Sequence, residues 1–196
     1  MKVSGDYTVF YRRHYFELRR KTIEAASHAH ASNPLLPQMG HGLPNSAGIP
    51  YRLEVVPIVM QPGPGAVPVG ENAQLTGKLT RYDVEFQLQA TGLRLPPDAD
   101  GTRRKSLQVA LVVYGKDFKP RNWEIREIHL SIKPEEWAAK QSVGIPFHPE
   151  ISAPSGDVYL RTGVYDSSSS KVGTLEILLS AVTIVQKSRK ICSRIR

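Results

Sequence analysis

Residues 166–170 read Asp-Ser-Ser-Ser-Ser, a literal D-x-S-x-S in which a carboxylate and two hydroxyls recur at alternate positions. Oxygen ligands so spaced could begin a cage for magnesium, which demands near-octahedral oxygen geometry. The next seven residues decide against it: Lys171-Val-Gly-Thr-Leu-Glu-Ile alternates as a strand does and opens no helix. Asp and Ser also bond their own backbone in tight turns. Asp166 to Ser170 is therefore expected to be a hairpin turn with no metal.

The 6 histidines are the next source of chemistry. His28 and His30 stand two apart on an expected helix and face different sides of it. His41 lies in a loop, His129 has the outward parity of its strand, and His148 stands between Phe147 and Pro149. No pair has the i, i+4 spacing of a helical zinc site, so these read as surface or packing histidines. Cys192 is the single cysteine, which excludes an intrachain disulfide and a thiolate zinc cluster. It sits in a basic stretch where a poised nucleophile is not expected. The sequence has no G-x-S-x-G. Gly63-Pro-Gly65 lacks the Lys-Ser/Thr and the helix of a phosphate loop. Glu54, Asp83, Glu85 and Glu150 could supply a glycosidase-type pair, but each has the outward parity of a solvated charge. Trp123 and Trp137 could stack on sugars; Trp123 reads as core, and Trp137 as a pin holding a short helix to a sheet. No catalytic, cofactor-binding or metal-binding residue is assigned, and the chain reads as not an enzyme.

The elements that must hold these residues are strands. Val143, Ile145, Phe147 and Ile151 alternate as one buried face, and so do Val158, Leu160, Thr162 and Val164 against Tyr159, Arg161, Gly163 and Tyr165. Leu175, Ile177 and Leu179 resume the alternation after the Asp166 turn. These three strands are expected to form a half-buried antiparallel meander. Upstream, Arg81 to Gln89 is the cleanest alternation, with Tyr82, Val84, Phe86 and Leu88 facing in. Ser106 to Tyr114 is apolar on both faces, as a central strand is. Pro57 within Tyr51 to Met60 marks an edge or a bulge. From Trp123 to Ile132 the parity slips, which predicts a β-bulge near Arg126–Glu127. Pro134 to Lys140 reads as a short helix, with Pro first, acids in the first turn and Lys in the last. Glu17 to Ala31 reads as a surface helix with the thin apolar face Leu18, Ile23, Ala26 and Ala29/His30.

The expected architecture is an all-β, immunoglobulin-like antiparallel sandwich of seven or eight strands, with that N-terminal surface helix and the one short helix. Residues 1–50 would hold an N-terminal strand, the helix and a Pro/Gly loop, residues 51–185 the sandwich, and 186–196 a basic disordered tail. Phe86, Leu88, Leu111, Val113, Leu160 and Val164 are expected to be buried together. A chain of 196 residues with 15 Gly and 15 Pro suits one domain of short strands and turns.

The formal net charge of +8 gathers at the ends. Lys2, Arg12, Arg13, Arg19, Arg20 and Lys21 outweigh Asp6 and Glu17, and Lys187, Arg189, Lys190, Arg194 and Arg196 meet no acid. The middle is close to neutral. Basic ends attract polyanions without selectivity, whereas a nucleic-acid module carries its charge on a folded face, so no specific nucleic acid is expected. No apolar run approaches the roughly 20 residues of a membrane span. The stretch from Met1 to Asp6 lacks the apolar region of a signal peptide.

YTVFYRRHYF at residues 7–16, MGHGLP at 39–44, YRLEVVPIV at 51–59, PEEW at 134–137, GIPFHPEIS at 144–152 and GDVYLRTGVYD…VGTLEI at 156–177 occur in an order that resembles the C-terminal region of acidobacterial VWFA-related proteins. Those proteins carry a von Willebrand factor A-like domain ahead of this region, and the resemblance covers residues 5 to 184. It implies an exported bacterial protein, periplasmic or extracellular, of which this chain would be a fragment without the A-type domain and signal peptide. Asp166-Ser-Ser-Ser-Ser170 also fits the metal-ion adhesion motif of A-type domains, but there the motif follows a parallel strand and opens a helix. The expected function is a non-catalytic structural or interaction domain whose partner is another protein or the missing A-type domain. The alternative is a carbohydrate- or peptidoglycan-binding sandwich using Trp and Tyr on one face. Neither reading names a small-molecule ligand.

Overall fold

Tyr82, Val84, Phe86 and Leu88 alternate with Arg81, Asp83, Glu85 and Gln87, and that alternation builds the strand on which one sheet assembles. The structure is a computed structural model that describes residues 33–58 and 67–181. This strand is β2 (Leu79–Leu88), preceded by β1 (Tyr51–Ile58). After it come β3 (Arg103–Gly115), β4 (Pro120–Ile132), α1 (Pro134–Val143), β5 (Ile145–Phe147), β6 (Glu150–Pro154), β7 (Val158–Asp166) and β8 (Lys171–Leu178). β2 pairs antiparallel with β1 on one side and with β5 and β6 on the other. The second sheet runs β4-β3-β7-β8, antiparallel throughout. The inner faces of the two sheets share one core, so the chain is an all-β sandwich.

That core holds Phe86, Leu88, Leu111, Val113, Leu160 and Val164 together, as the alternation predicts. Two polar ties cross it. The Tyr51 hydroxyl and Thr162 Oγ1 lie 2.8 Å apart, joining β1 to β7. Asn122 Nδ2 donates to Ser152 O and to Val69 O, both at 2.7 Å, joining β4 to β6 and the connection before β2. Burial of the Tyr51 ring pushes its phenol pKa well above the ordinary value.

The outer face of the second sheet is apolar as well. Leu35, Met39, Ala110, Val112, Tyr114 and Val172 form a second cluster there, with Trp123, Ile125, Tyr159 and Tyr165 packed against it. The segment from Leu35 to Ile49 is a strap: Leu35 and Met39 lie on this face, with a single 3-10 turn at Leu36–Gln38, and the chain then runs along β8 and puts Ile49 in the inter-sheet core. It approaches closely only because the sheet offers glycines. A Cβ on Gly163 would meet Met39 Sδ at 2.5 Å, and one on Gly173 would meet Ile49 O at 2.1 Å. The compact unit that contains the sandwich accordingly begins at Pro34, ahead of the Tyr51 boundary read from the sequence.

Four readings need correction. The expected meander does not form: β6 belongs to the first sheet and β7 to the second, so only β7 and β8 make a hairpin. Val143 ends α1 and is 67% exposed, and Gly144 at φ 106 stops the helix before β5. β3 begins at Arg103, ahead of the Ser106 start read from the sequence. No bulge occurs at Arg126–Glu127: β3 and β4 keep one register from Arg103↔Ile132 to Val113↔Asn122. The shift comes at Arg121, before Tyr114↔Pro120. The parity slip has a different origin. Trp123 and Ile125 face the strap side, while Ile128, Leu130 and Ile132 face the inter-sheet core. A strand apolar on different faces along its length needs no extra residue.

The short helix stands as expected, with Pro134 first, Glu135 and Glu136 in its first turn and Lys140 in its last. Among the described residues no helix is long and apolar enough to cross a membrane. The expected N-terminal strand and helix and the basic tail lie outside the described residues.

Candidate functional site

Arg161 is the largest fully buried side chain among the described residues, at 0% exposure on the outer face of β7. Strand alternation puts it there; the strap closes over it. Its Nε and Nη2 donate to Gln38 O at 3.2 and 3.0 Å, Nη1 to Leu43 O at 2.7 Å and Asn45 Oδ1 at 3.1 Å, and Nη2 also to Pro44 O at 3.0 Å and Thr174 Oγ1 at 3.2 Å. Glu176 Oε2 lies 4.0 Å from the guanidinium. Burial lowers the Arg161 pKa, and Glu176 offsets part of the shift. The planar fork of arginine suits this spread of carbonyls, which a lysine point charge could not reach together.

Glu176 completes the clasp. Its carboxylate accepts the Gly42 N–H and stands 3.0 Å from His41 Nδ1. The His41 ring stacks on Phe118 at 4.8 Å and tilts against Tyr159 at 4.4 Å and Tyr114 at 5.7 Å. The Tyr114 hydroxyl donates to Met39 O at 2.8 Å. Burial, then the nearby Glu176 charge, push the Tyr114 phenol up to about 12. His41 packs among these rings beside Glu176, while the burial of Arg161 could not be read from alternation alone. MGHGLP and VYLRTGVYD are remote in sequence, and here they interlock.

The Asp166 motif is a hairpin turn between β7 and β8, with Ser170 at φ 53. Asp166 is buried, and its carboxylate accepts the Ser168 N–H at 3.0 Å, Ser168 Oγ at 2.8 Å and Ser169 Oγ at 2.6 Å. Lys105 Nζ sits 2.8 Å from Asp166 Oδ2, 2.7 Å from Ser168 Oγ and 2.9 Å from Arg94 O. An ammonium therefore fills the oxygen-lined position that a cation would need. Burial raises the Asp166 pKa, but the bonds from Lys105, Ser169 and Ser168 outweigh it and hold the group below the ordinary carboxylate value.

The carboxylates named from the sequence do gather on one face. Glu54 lies directly across from Glu85, and Asp83 from Glu150, on the outer side of the first sheet. Arg81 Nε pairs with Glu150 at 2.8 Å, and His148 Nδ1 stands 3.8 Å from Asp83. This is a mixed, solvated surface. His129 Nδ1 lies 2.8 Å from Ser106 Oγ. Among the described residues no group of three or more His, Cys, Asp or Glu could hold a metal ion.

The two tryptophans do not share a face. Trp123 lies on the strap side, where its Nε1 donates to Glu71 Oε2 at 3.1 Å. Trp137 of α1 packs on the inter-sheet core, with the Arg103 guanidinium 4.3 Å above its ring. An open polar cleft of about 450 Å3 lies where the turns before β4 and β7 meet the 72–76 loop, lined by Asn72, Gln74, Arg121, Ser155 and Asp157 among others.

Sheet edges are the remaining places where backbone groups face outward. β8 is covered by the strap: Thr174 N–H donates to Ser46 O, and Ala47 bridges Gly173. β6 is covered by Val69, whose carbonyl accepts the Ser152 N–H. β1 carries Pro57 near its end, and β5 holds Pro146. The first part of β4 is closed by Glu71, whose N–H donates to Trp123 O and whose Oε1 accepts the Ile125 N–H. From Arg126 to Ile132, β4 has no proline, and no described residue covers its edge.

No family model matches the sequence, and no curated protein matches it either. Among solved structures, a β-glucosidase from Kluyveromyces marxianus is similar over 66% of this chain and 14% of its own, at 9% identity and a TM-score of 0.24. The chain thus spans about a seventh of that protein, and a likeness this slight carries no argument.

Proposed function

We propose that this chain is a non-catalytic interaction domain of an exported bacterial protein. The observation that supports it is the edge of β4 from Arg126 to Ile132, which no described residue covers, in a sandwich whose other described edges are covered or carry a proline. An open edge offers main-chain donors and acceptors to an extended partner, which adds as one more strand. The deeply buried charges act inward. Arg161 holds the strap, and Asp166 with Lys105 holds a hairpin. Export rests on the resemblance to the VWFA-related region, as does an A-type domain as one partner.

The test is a display screen of extended peptides on the purified chain. Enrichment that disappears in His129→Pro supports the reading, because that substitution removes an outward N–H and leaves the inner ladder intact. Enrichment unaffected by it, or none, counts against an interaction edge.

A second reading, glycan or peptidoglycan binding, draws support from the polar cleft, where the amides of Asn72 and Gln74, the Ser155 hydroxyl and the Asp157 carboxylate suit a polyhydroxylated ligand. A glycan array decides it. Several-fold enrichment weakened by Asp157→Ala promotes this reading, and a silent array removes it.

A further inference from the structure

The part of β4 that no described residue covers has a definite polarity. Trp123 O and Ile125 N–H both point away from β3, toward Glu71. Backbone groups of alternate residues in a strand point the same way, so Glu127, His129 and Ser131 also direct their N–H and C=O outward. The side chains of these residues lie on the strap side of the sheet, with Ile128 and Leu130 on the core side. This edge thus presents an acid and a base two residues apart on one face.

We propose that this edge pairs antiparallel with the same edge of a second copy of the chain, centred on Ile128. The inference rests on the interaction-domain reading and names its partner. In an antiparallel ladder, outward-pointing residues must oppose outward-pointing residues, which leaves few symmetric registers. Centring on Glu127 opposes like carboxylates. Centring on His129 opposes two imidazoles and leaves Glu127 facing the copy's Ser131. Centring on Ile128 sets each Glu127 against the copy's His129, and the two residues exchange backbone bonds on both sides of the axis. Charge complementarity selects this register. His129 Nδ1 is already directed at Ser106 Oγ, 2.8 Å away, which turns Nε2 toward the incoming carboxylate. On the other face the two Ile128 side chains meet, extending the apolar row that Ile128 and Leu130 begin at the margin of the core. Glu71 ends the ladder at Ile125, so the pairing is short and reversible. A twofold contact of this kind is self-complementary and closes.

Sedimentation velocity on the full chain over a concentration series tests it. The wild type is expected to pass from monomer to dimer as its concentration rises. Glu127→Lys places a cation opposite each imidazole and is expected to raise the dissociation constant roughly tenfold. The double variant Glu127→Lys with His129→Glu restores opposite charges and returns the constant toward wild type. His129→Pro gives a monomer, with a circular-dichroism melt to verify that the sandwich is folded. A wild type that stays monomeric throughout, a folded proline variant that still dimerises, or a double variant no better than Glu127→Lys would overturn the self-pairing. A monomeric wild type that still captures extended peptides would end the self-pairing and leave the interaction reading standing. A monomer that captures none would end both.

Discussion

Arg161 is one guanidinium answering the carbonyls of Gln38, Leu43 and Pro44. Its removal leaves those acceptors buried without donors, at about 1 to 3 kcal/mol for each such group. Even Arg161→Lys is expected to lower unfolding free energy by about 2 kcal/mol or more, because one ammonium cannot reproduce the fork; urea denaturation of the two proteins measures it. Asp166 makes stability depend on acid. Its folded pKa lies below the ordinary value near 3.9, so at low pH the unfolded chain binds the proton more readily than the native one. The stability contributed is complete above about pH 4 and drains as pH falls through the depressed value. Lys105→Met is expected to flatten that acid limb and to cost about 3 to 5 kcal/mol at neutral pH, since it leaves a buried carboxylate unpaired. Tyr114 acts at the other end of the scale. With its phenol raised to about 12, its contribution is complete below about pH 10 and is lost as pH rises through the folded value. Denaturation at pH 8 and at pH 11 should show this loss, and Tyr114→Phe should remove the Tyr114 part of it.

At the scale of elements, the inner faces of β2, β3 and β7 make one core, and Leu160 at its centre has 0% exposure. Leu160→Ala is expected to cost about 2 to 5 kcal/mol, the range for deleting a buried leucine; a loss under about 1 kcal/mol in chemical denaturation would contradict this packing. The strap is a separate matter. A Cβ on Gly173 would strike the Ile49 carbonyl, which is backbone and cannot swing aside. Gly173→Ala should therefore lift the strap from β8. The amide protons of Ser46 and Thr174, which lie in the strap–strand contact, should then exchange faster than those of the β3–β7 ladder.

For the whole molecule, the charge lies at the ends and the sandwich is near neutral, so any polyanion affinity should come from the ends. Deleting Lys187 to Arg196 is expected to abolish most heparin or DNA retention and to reduce the slope of log affinity against log salt, because fewer counterions are released. Retention with sequence preference in the trimmed chain would contradict this. The sequence by itself determined what is fixed locally: the inward faces of β2 and β7, the central character of β3, the edge position marked by Pro57, the turn at Asp166 and the helix start at Pro134. These are legible because a strand's facing and a turn's chemistry depend on neighbours a few residues away. Tertiary structure alone decided the rest. Which strands pair is a choice among distant segments, so β6 left β7 for the other sheet. A strand face is buried only when something covers it, and the cover for Arg161 comes from a segment 116 to 123 residues away. The parity slip in β4 marked two differently covered faces and no bulge. The β4 edge that no described residue covers likewise became visible only once the other described edges had been matched with a neighbour or a proline. Hydrogen bonding between strands is decided by what lies beside them in space, and local alternation carries no record of that.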